Sequence, residues 1–395
     1  MRKLLQSVIG VLFFWCMAES YAQIPALTSL RPSVRKDNYW SIGIQANALN
    51  YFGDLNPKSQ YLSTDLTLTR PQFGLQAIKK LNPNFYLRGS LFFGRLQGDD
   101  FTAASVGLTN NATAPPLKDN VPDSKERINR YARNLSFRND IAEFAISGIY
   151  EFGASRGRFY RRTYVAPYLV AGVGVFYHNP KAKLPETIGD LLGNRVVVPN
   201  GGKWVALQPL GTEGQRNPNP RPSTLPEAPY NKPYSLVQMA VPMGAGIRFR
   251  IADQWDLSFE MALRVTTTDY IDDVSGNYAD IRDIPTVEGR ILADRSAEVV
   301  AVMTGQTRPL AQIQAHVGGV SPNFGGYAGR RPDGGFDEIV QTASFSPADN
   351  NPYARLASYG LRNQIRGWSG KVDVYLVSGF HLNYILKTAR SPKFN

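Results

Sequence analysis

The chain has 395 residues, a formal net charge of +12 at pH 7 and a single cysteine. One cysteine excludes a disulfide framework and a thiolate metal cluster, and no stretch approaches 18 consecutive apolar residues, which excludes a transmembrane helix. The basic balance admits nucleic acid as a partner, but the secretory N-terminus described next argues against it and favours lipopolysaccharide or an acidic protein at a surface.

Residues 1–22 read as a secretion signal. Arg2 and Lys3 precede an apolar run from Leu4 to Met17, and Ser20-Tyr21-Ala22 supplies the small residues of a cleavage site. The run is shorter than the roughly 20 residues that a membrane-spanning helix needs. Cys16 lies inside it, behind the bulky Trp15, so a lipid anchor is not expected and the mature chain holds no cysteine. Residues 23–38 then form a periplasmic N-terminal tail.

Eight strands follow, expected at 39–52, 72–81, 85–97, 141–152, 165–178, 237–251, 255–268 and 371–387. The seventh shows the pattern well: Trp255, Leu257, Phe259, Met261, Leu263 and Val265 alternate with mostly polar residues, Glu260 and Arg264 among them. Successive side chains of a strand point to opposite faces. Connections after the second, fourth and sixth strands are short, and those after the other strands are long, the last being an insert at about 269–370. Alternation of this kind, with an even strand count, is how an outer-membrane barrel is written. The fold class is therefore all-β, an eight-stranded antiparallel transmembrane β-barrel over 39–387 with long extracellular loops and a C-terminal tail at 388–395. A closed barrel satisfies every backbone polar group in lipid.

The outward face is apolar, as in Val237, Met239 and Val241 or in Val372, Val374 and Leu376. The inward face collects Arg88, Glu143, Glu151, Arg248, Arg250, Glu260, Arg264, Asp373 and His381. Buried charges must pair, so an ionic network across the lumen is expected, with Arg88, Glu143, Arg248, Glu260, Arg264 and Asp373 as its members. An eight-stranded barrel is just wide enough for its side chains to fill; this chain alone is not a protein-conducting pore. Gly172, Gly174, Gly244 and Gly246 serve curvature and close packing, and no strand-turn-helix context makes them a phosphate loop. Within the loop after the fifth strand, 195–198, Asn200-Gly201-Gly202 and 203–207 read as a hairpin.

Six patterned segments border the strands: Tyr51-Phe52-Gly53-Asp54-Leu55-Asn56-Pro57, Gly98-Asp99-Asp100, the stretch from Arg133 through Arg138 to Asn139, Phe176 to Ala182, Leu207 to Gln215 with Glu213, and Asp269 to Ser275. In this order they resemble the PorG-like outer-membrane barrels of Bacteroidetes, over roughly 40–278 and the final strand. The insert at about 277–367 departs from that pattern. The resemblance implies an outer-membrane protein associated with the type IX secretion system. It also implies contact with a periplasmic ring built from a lipoprotein (PorK) and its partner (PorN).

Read by themselves, Asp54, Asn56, Asp99, Asp100, Glu213, Asp269, Asp272 and Asp273 place carboxylates and turn formers at one rim, where Arg133 and Arg138 can brace them. Calcium is the weaker alternative, since the spacing is not that of an EF-hand, and no cofactor is expected. Arg156, Arg158, Arg161 and Arg162, in the short fourth connection, are candidates for periplasmic contact or for lipid phosphate. His178, His316 and His381 stand in no Ser-His or His-Glu-x-x-His arrangement, so an enzyme is not expected. The expected role is a non-enzymatic component or accessory of the secretion system, with outer-membrane lipid and PorK/PorN-like ring proteins as partners and the oligomeric state unknown. The alternative is a surface-binding protein or adhesin that uses the long loops.

Overall fold

A computed structural model describes residues 39–55, 68–105, 130–153, 162–189, 195–217, 230–280, 283–296, 298–308, 365–367 and 372–386. The leader, both tails, Asn56, Arg156, Arg158, Arg161 and most of the insert lie outside these residues. In chain order the elements are β1 (Trp40–Phe52), β2 (Arg70–Lys80), β3 (Phe85–Asp99), α1 (Asp100–Ser105), β4 (Ser136–Glu151), β5 (Val165–Lys183), β6 (Thr187–Gly189), β7 (Arg195–Val197), β8 (Trp204–Ala206), β9 (Val237–Arg250), β10 (Trp255–Thr266), α2 (Val287–Ala293) and β11 (Val374–Ile385).

Pairing runs β4-β3-β2-β1-β11-β10-β9-β5, and β4 also pairs with β5, which closes an antiparallel barrel of eight strands. The first and last strands meet in register, Ser41 opposite Ile385 and Phe52 opposite Val374. Both strand termini and the short turns share one rim. There the turn before β3 is fixed by Asn82, whose Oδ1 accepts from the backbone N–H of Asn84 and Phe85 at 3.2 and 2.9 Å, an Asx-type closure.

The period-2 alternation sorts the side chains as expected. Ile44 is 57% exposed, Phe73 66% and Phe144 53%, all on the outside. Aromatic side chains collect outside the short-turn rim, where Phe85 meets Tyr150 and Trp255 meets Tyr384 at ring separations of 4.9 and 5.0 Å. Apolar exposure on this scale, banded by aromatic rings, matches the lipid-facing surface of a membrane barrel.

Inside, ion pairs and hydrogen bonds form tiers. Nearest the short turns, Arg248 grips Glu151 through two bonds of 2.9 and 2.6 Å and also reaches Asp256. At mid-height Arg88 makes a bidentate pair with Glu260 at 2.7 and 3.0 Å, and Tyr168 donates to the same carboxylate at 2.9 Å. Arg264 lies 3.7 Å from Glu143, which also accepts from the Tyr375 hydroxyl. His381 and Asn47 are in contact at 3.2 Å. Gly246 is required here: it sits opposite Tyr168, and a Cβ would come within 2.4 Å of that ring. Toward the other rim the lumen is closed by an apolar cluster that includes Leu49, Phe92, Leu96, Phe137, Phe176 and Tyr375.

Several expectations need correction. β4 begins at Ser136 and β5 runs to Lys183, so 136–139 and 176–182 of the patterned segments belong to strands. The fifth strand, expected to end at 178, continues through Pro180, which pairs opposite Asn139 and whose carbonyl accepts from Leu207. Proline removes only a donor, so its carbonyl can still pair. The 195–207 segment is not a hairpin on itself. β7 pairs with β6, and β8 pairs with the extension of β5. The turn survives, with positive φ at Asn200 and Gly202, but the long β5 edge supplies the better partner. Asp373 is not in the lumen network; it precedes β11 at the long-loop rim. Arg250 lies at the short-turn rim, its guanidinium 4.7 Å from the Tyr164 ring centre. Val374 and Leu376 are buried rather than lipid-exposed.

Candidate functional site

Five of the patterned segments, and the described part of the sixth, meet at the long-loop rim as one buried cap. Arg133 is its hub. Its guanidinium makes bonds of 2.7 and 2.8 Å to the two oxygens of Asp100, and it donates to the carbonyls of Asp54 and Arg366. Asp100 also accepts from the Leu135 N–H at 3.0 Å. Asp99 caps the start of α1 through Thr102. Thus 51–55, 98–100 and 133–139 are held by a single charge-assisted cluster.

The second hub is Glu213. It accepts from the backbone N–H of Ser275 and Gly276 and from Arg366 at 3.0 Å. Arg366 donates as well to the carbonyl of Asp273, 2.7 Å away. Asp273 has φ of 67°, a conformation aspartate tolerates better than most residues. Thr212 and Tyr234 hold its carboxylate, the latter at 2.6 Å. The Tyr234 ring is stacked between His178 and Tyr270. Asn139 ties 176–182 to 269–275 by donating to the Ile271 carbonyl at 2.7 Å and accepting from the Asn179 N–H. Buried with two or more partners each, these side chains fix the six segments in one arrangement.

Carboxylates crowd the centre. Tyr51 donates to Asp373 at 2.6 Å, and the Ile271 N–H donates to the other oxygen of Asp373. Gly53 leaves the room: a Cβ there would lie 1.8 Å from the Tyr51 hydroxyl and 2.0 Å from Asp373. Asp272 accepts from the Val274 N–H. Burial, and then the neighbouring charge of Asp373 and Asp54, holds the Asp272 carboxyl well above the usual range. Burial also pushes Asp269 up to about 9 and Asp273 up to about 6. Among the described residues no group of three or more His, Asp or Glu side chains is placed to hold a metal ion. The cap holds Arg–carboxylate pairs beside Asp269 and Asp272, whose carboxyls burial shifts toward the protonated form.

Of the rim candidates, Asp54, Asp99, Asp100, Arg133, Glu213, Asp269, Asp272 and Asp273 all lie in this cap. Arg138 does not. It faces outward, with its guanidinium carbon 3.9 Å from the Trp204 ring centre. Arg162, expected at the periplasmic surface, is 2% exposed and bonded to Asp256 at 2.8 Å. It is therefore a wall of the lumen and not a contact surface. Three arginines of the insert went unrecognised in the sequence. Besides Arg366, Arg295 pairs with Glu298 and reaches Ser136, and Arg308 donates to the carbonyls of Ser296, Glu298 and Tyr131. They are isolated arginines in an aperiodic stretch, which carries no signal.

No protein-family model matches the chain, and no curated protein matches it in sequence. Solved structures that it resembles include Ail, the attachment invasion locus protein of Yersinia pestis, in complex with the heparin analogue sucrose octasulfate. That likeness has 9% identity and a TM-score of 0.23 and covers 57% of this chain and 85% of Ail. The N-terminal β-barrel domain of Pseudomonas aeruginosa OprF gives 11%, 0.24, 57% and 84%. Neisserial surface protein A gives 12%, 0.24, 58% and 81%. The strand pairing itself establishes the fold: the chain is a closed eight-stranded antiparallel β-barrel.

Proposed function

We propose that the chain acts without catalysis in an outer membrane, as a barrel component or accessory of a type IX secretion system that contacts the periplasmic ring of PorK/PorN-like proteins. The observation that carries this reading is the convergence of the patterned segments. Segments spread from Tyr51 to Ser275 bond to one another in a single cap, so the ordered set that resembles the PorG-like family behaves as one unit. The outward apolar face supports the membrane location, because water would expose side chains such as Phe73 at a cost of roughly 25 cal/mol per Å². The paired lumen supports an accessory role over a conduit.

The cap and the short turns lie at opposite rims. Contact with a periplasmic ring then falls to the tails and to Arg156, Arg158 and Arg161, since Arg162 is engaged inside. In-cell crosslinking of the tagged protein, read by mass spectrometry of purified outer membranes, tests this. Ring proteins crosslinked to the tails or to 154–161 are the expected result. Recovery of surface molecules through the long loops alone would sink the reading in favour of an adhesin.

A further inference from the structure

The outer wall of the barrel is uncharged through most of its height, and it changes abruptly in one sector near the long-loop rim. On β3 the outward series is Leu91, Phe93, Arg95 and Gln97; on β4 it is Ile146, Phe144, Ala142, Asp140 and Arg138; on β5 it is Val173, Val175, Tyr177, Asn179, Lys181 and Lys183. The register sets Arg95 opposite Asp140, Gln97 opposite Arg138, and Arg138 opposite Lys181. Partners in register share a face, so these groups form one patch. Arg70 joins its edge by donating to Gln97 at 2.7 Å. Among the described strand residues the one carboxylate on this face is Asp140, which Arg95 engages at 2.5 Å with both side chains exposed. Arg138 places its guanidinium carbon over the Trp204 ring, 3.9 Å from its centre. At the corresponding height on β1, β9 and around the ends of β10 and β11 the outward residues are Ala48, Val237, Thr267 and Val372, none of them charged.

We propose that this outward face of β3, β4 and β5 binds the phosphate of an anionic lipid headgroup in the leaflet that meets the long-loop rim. The inference rests on the membrane-barrel reading above. Height selects the ligand. Arg95 stands two residues above Phe93, roughly 7 Å along the strand, and the polar layer of a bilayer leaflet is about 5–8 Å thick. Arg95 therefore meets headgroups directly, and Arg138 and Lys181, four residues beyond Ala142 and Tyr177 and roughly 13 Å along the strands, reach back to the same layer by the length of their side chains. Chemistry selects the phosphate: a planar guanidinium offers paired N–H donors to its oxygens. Stacking on Trp204 holds Arg138 in place beside Lys181.

The test inserts the full chain into phosphatidylcholine vesicles that carry lipid A or its dephosphorylated form, and counts retained lipid by native mass spectrometry. The wild type retains phosphorylated lipid A preferentially. The double variant Arg138→Gln/Lys181→Gln loses that preference about tenfold or more, from roughly 1 kcal/mol per surface cation. Charge-preserving Arg138→Lys/Lys181→Arg keeps it, and so does Lys79→Gln at the opposite rim, where Lys79 lies over Trp40. Equal retention of both lipid forms overturns the proposal. So does saturation of the patch by inorganic phosphate with no advantage for lipid, or a loss on Lys79→Gln as large as that of the double variant. A wild type that inserts into no vesicle overturns the membrane reading itself, and the proposal with it.

Discussion

Glu260 shows what a buried charge does inside this barrel. Two bonds from Arg88 and one from Tyr168 satisfy it. Removing one member of such a pair leaves its partner uncompensated, at a cost of about 3–5 kcal/mol. Glu260→Ala should therefore lower the urea-unfolding stability of the reconstituted barrel by that much. The double change Arg88→Met/Glu260→Leu removes both charges and should sit within about 1–2 kcal/mol of wild type. Equal losses in the two variants would show that the pair specifies the fold by more than mutual compensation. In the cap, burial makes stability depend on pH. Asp269 is pushed up to about 9 and Asp273 to about 6, from 3.8. Between 3.8 and those values the folded cap holds protons that the unfolded chain has released, so stability falls as pH rises through this window. Hydrogen exchange of the 269–276 amides should accelerate from pH 4 to 9, after correction for the intrinsic rate. Asp269→Asn should flatten that rise, and a profile unchanged by the substitution would place the titration elsewhere.

The strands that face lipid on one side and the lumen on the other were legible, because both environments impose the same period of two. β9 and β10 match the alternation residue by residue. What escaped was the continuation of β4 and β5 beyond the apolar belt. From Ser136 to Asn139 and from His178 to Lys183 both faces are covered or polar, so the alternation fades while the pairing goes on. The partners of β7 and β8 were hidden for the same reason: a three-residue strand carries no register of its own. Arg133 with Asp100 could be anticipated as bracing, whereas Arg295, Arg308 and Arg366 acquire meaning only once the chain has returned to the rim. The sidedness of β4 can be measured. Ile146→Arg, at mid-height outside, should cost about 2–4 kcal/mol of barrel stability, and Asp140→Arg near the rim only about 0–1. Similar costs at both sites would mean that the lipid boundary does not lie where the apolar series ends.

Across the whole molecule, closure is redundant. Arg248 with Glu151 and Asp256 spans the lower lumen, Arg88 with Glu260 and Arg264 with Glu143 span the middle, and Leu49, Phe92, Phe137 and Phe176 fill the space beneath the cap. These tiers depend on different residues, so loosening one leaves the others shut. Arg366 contacts Glu213, Asp273 and Ala293 but no lumen residue of the middle tier. Arg366→Ala should release the cap, seen as protease cleavage within 207–217 or 269–280, while planar-bilayer conductance stays at the wild-type level. Adding Arg88→Ala and Arg264→Ala removes the middle tier as well and should be needed before small-ion conductance rises. If Arg366→Ala alone opened an ion path, the cap would be the gate of a channel, and an accessory role built on a permanently filled lumen would fail.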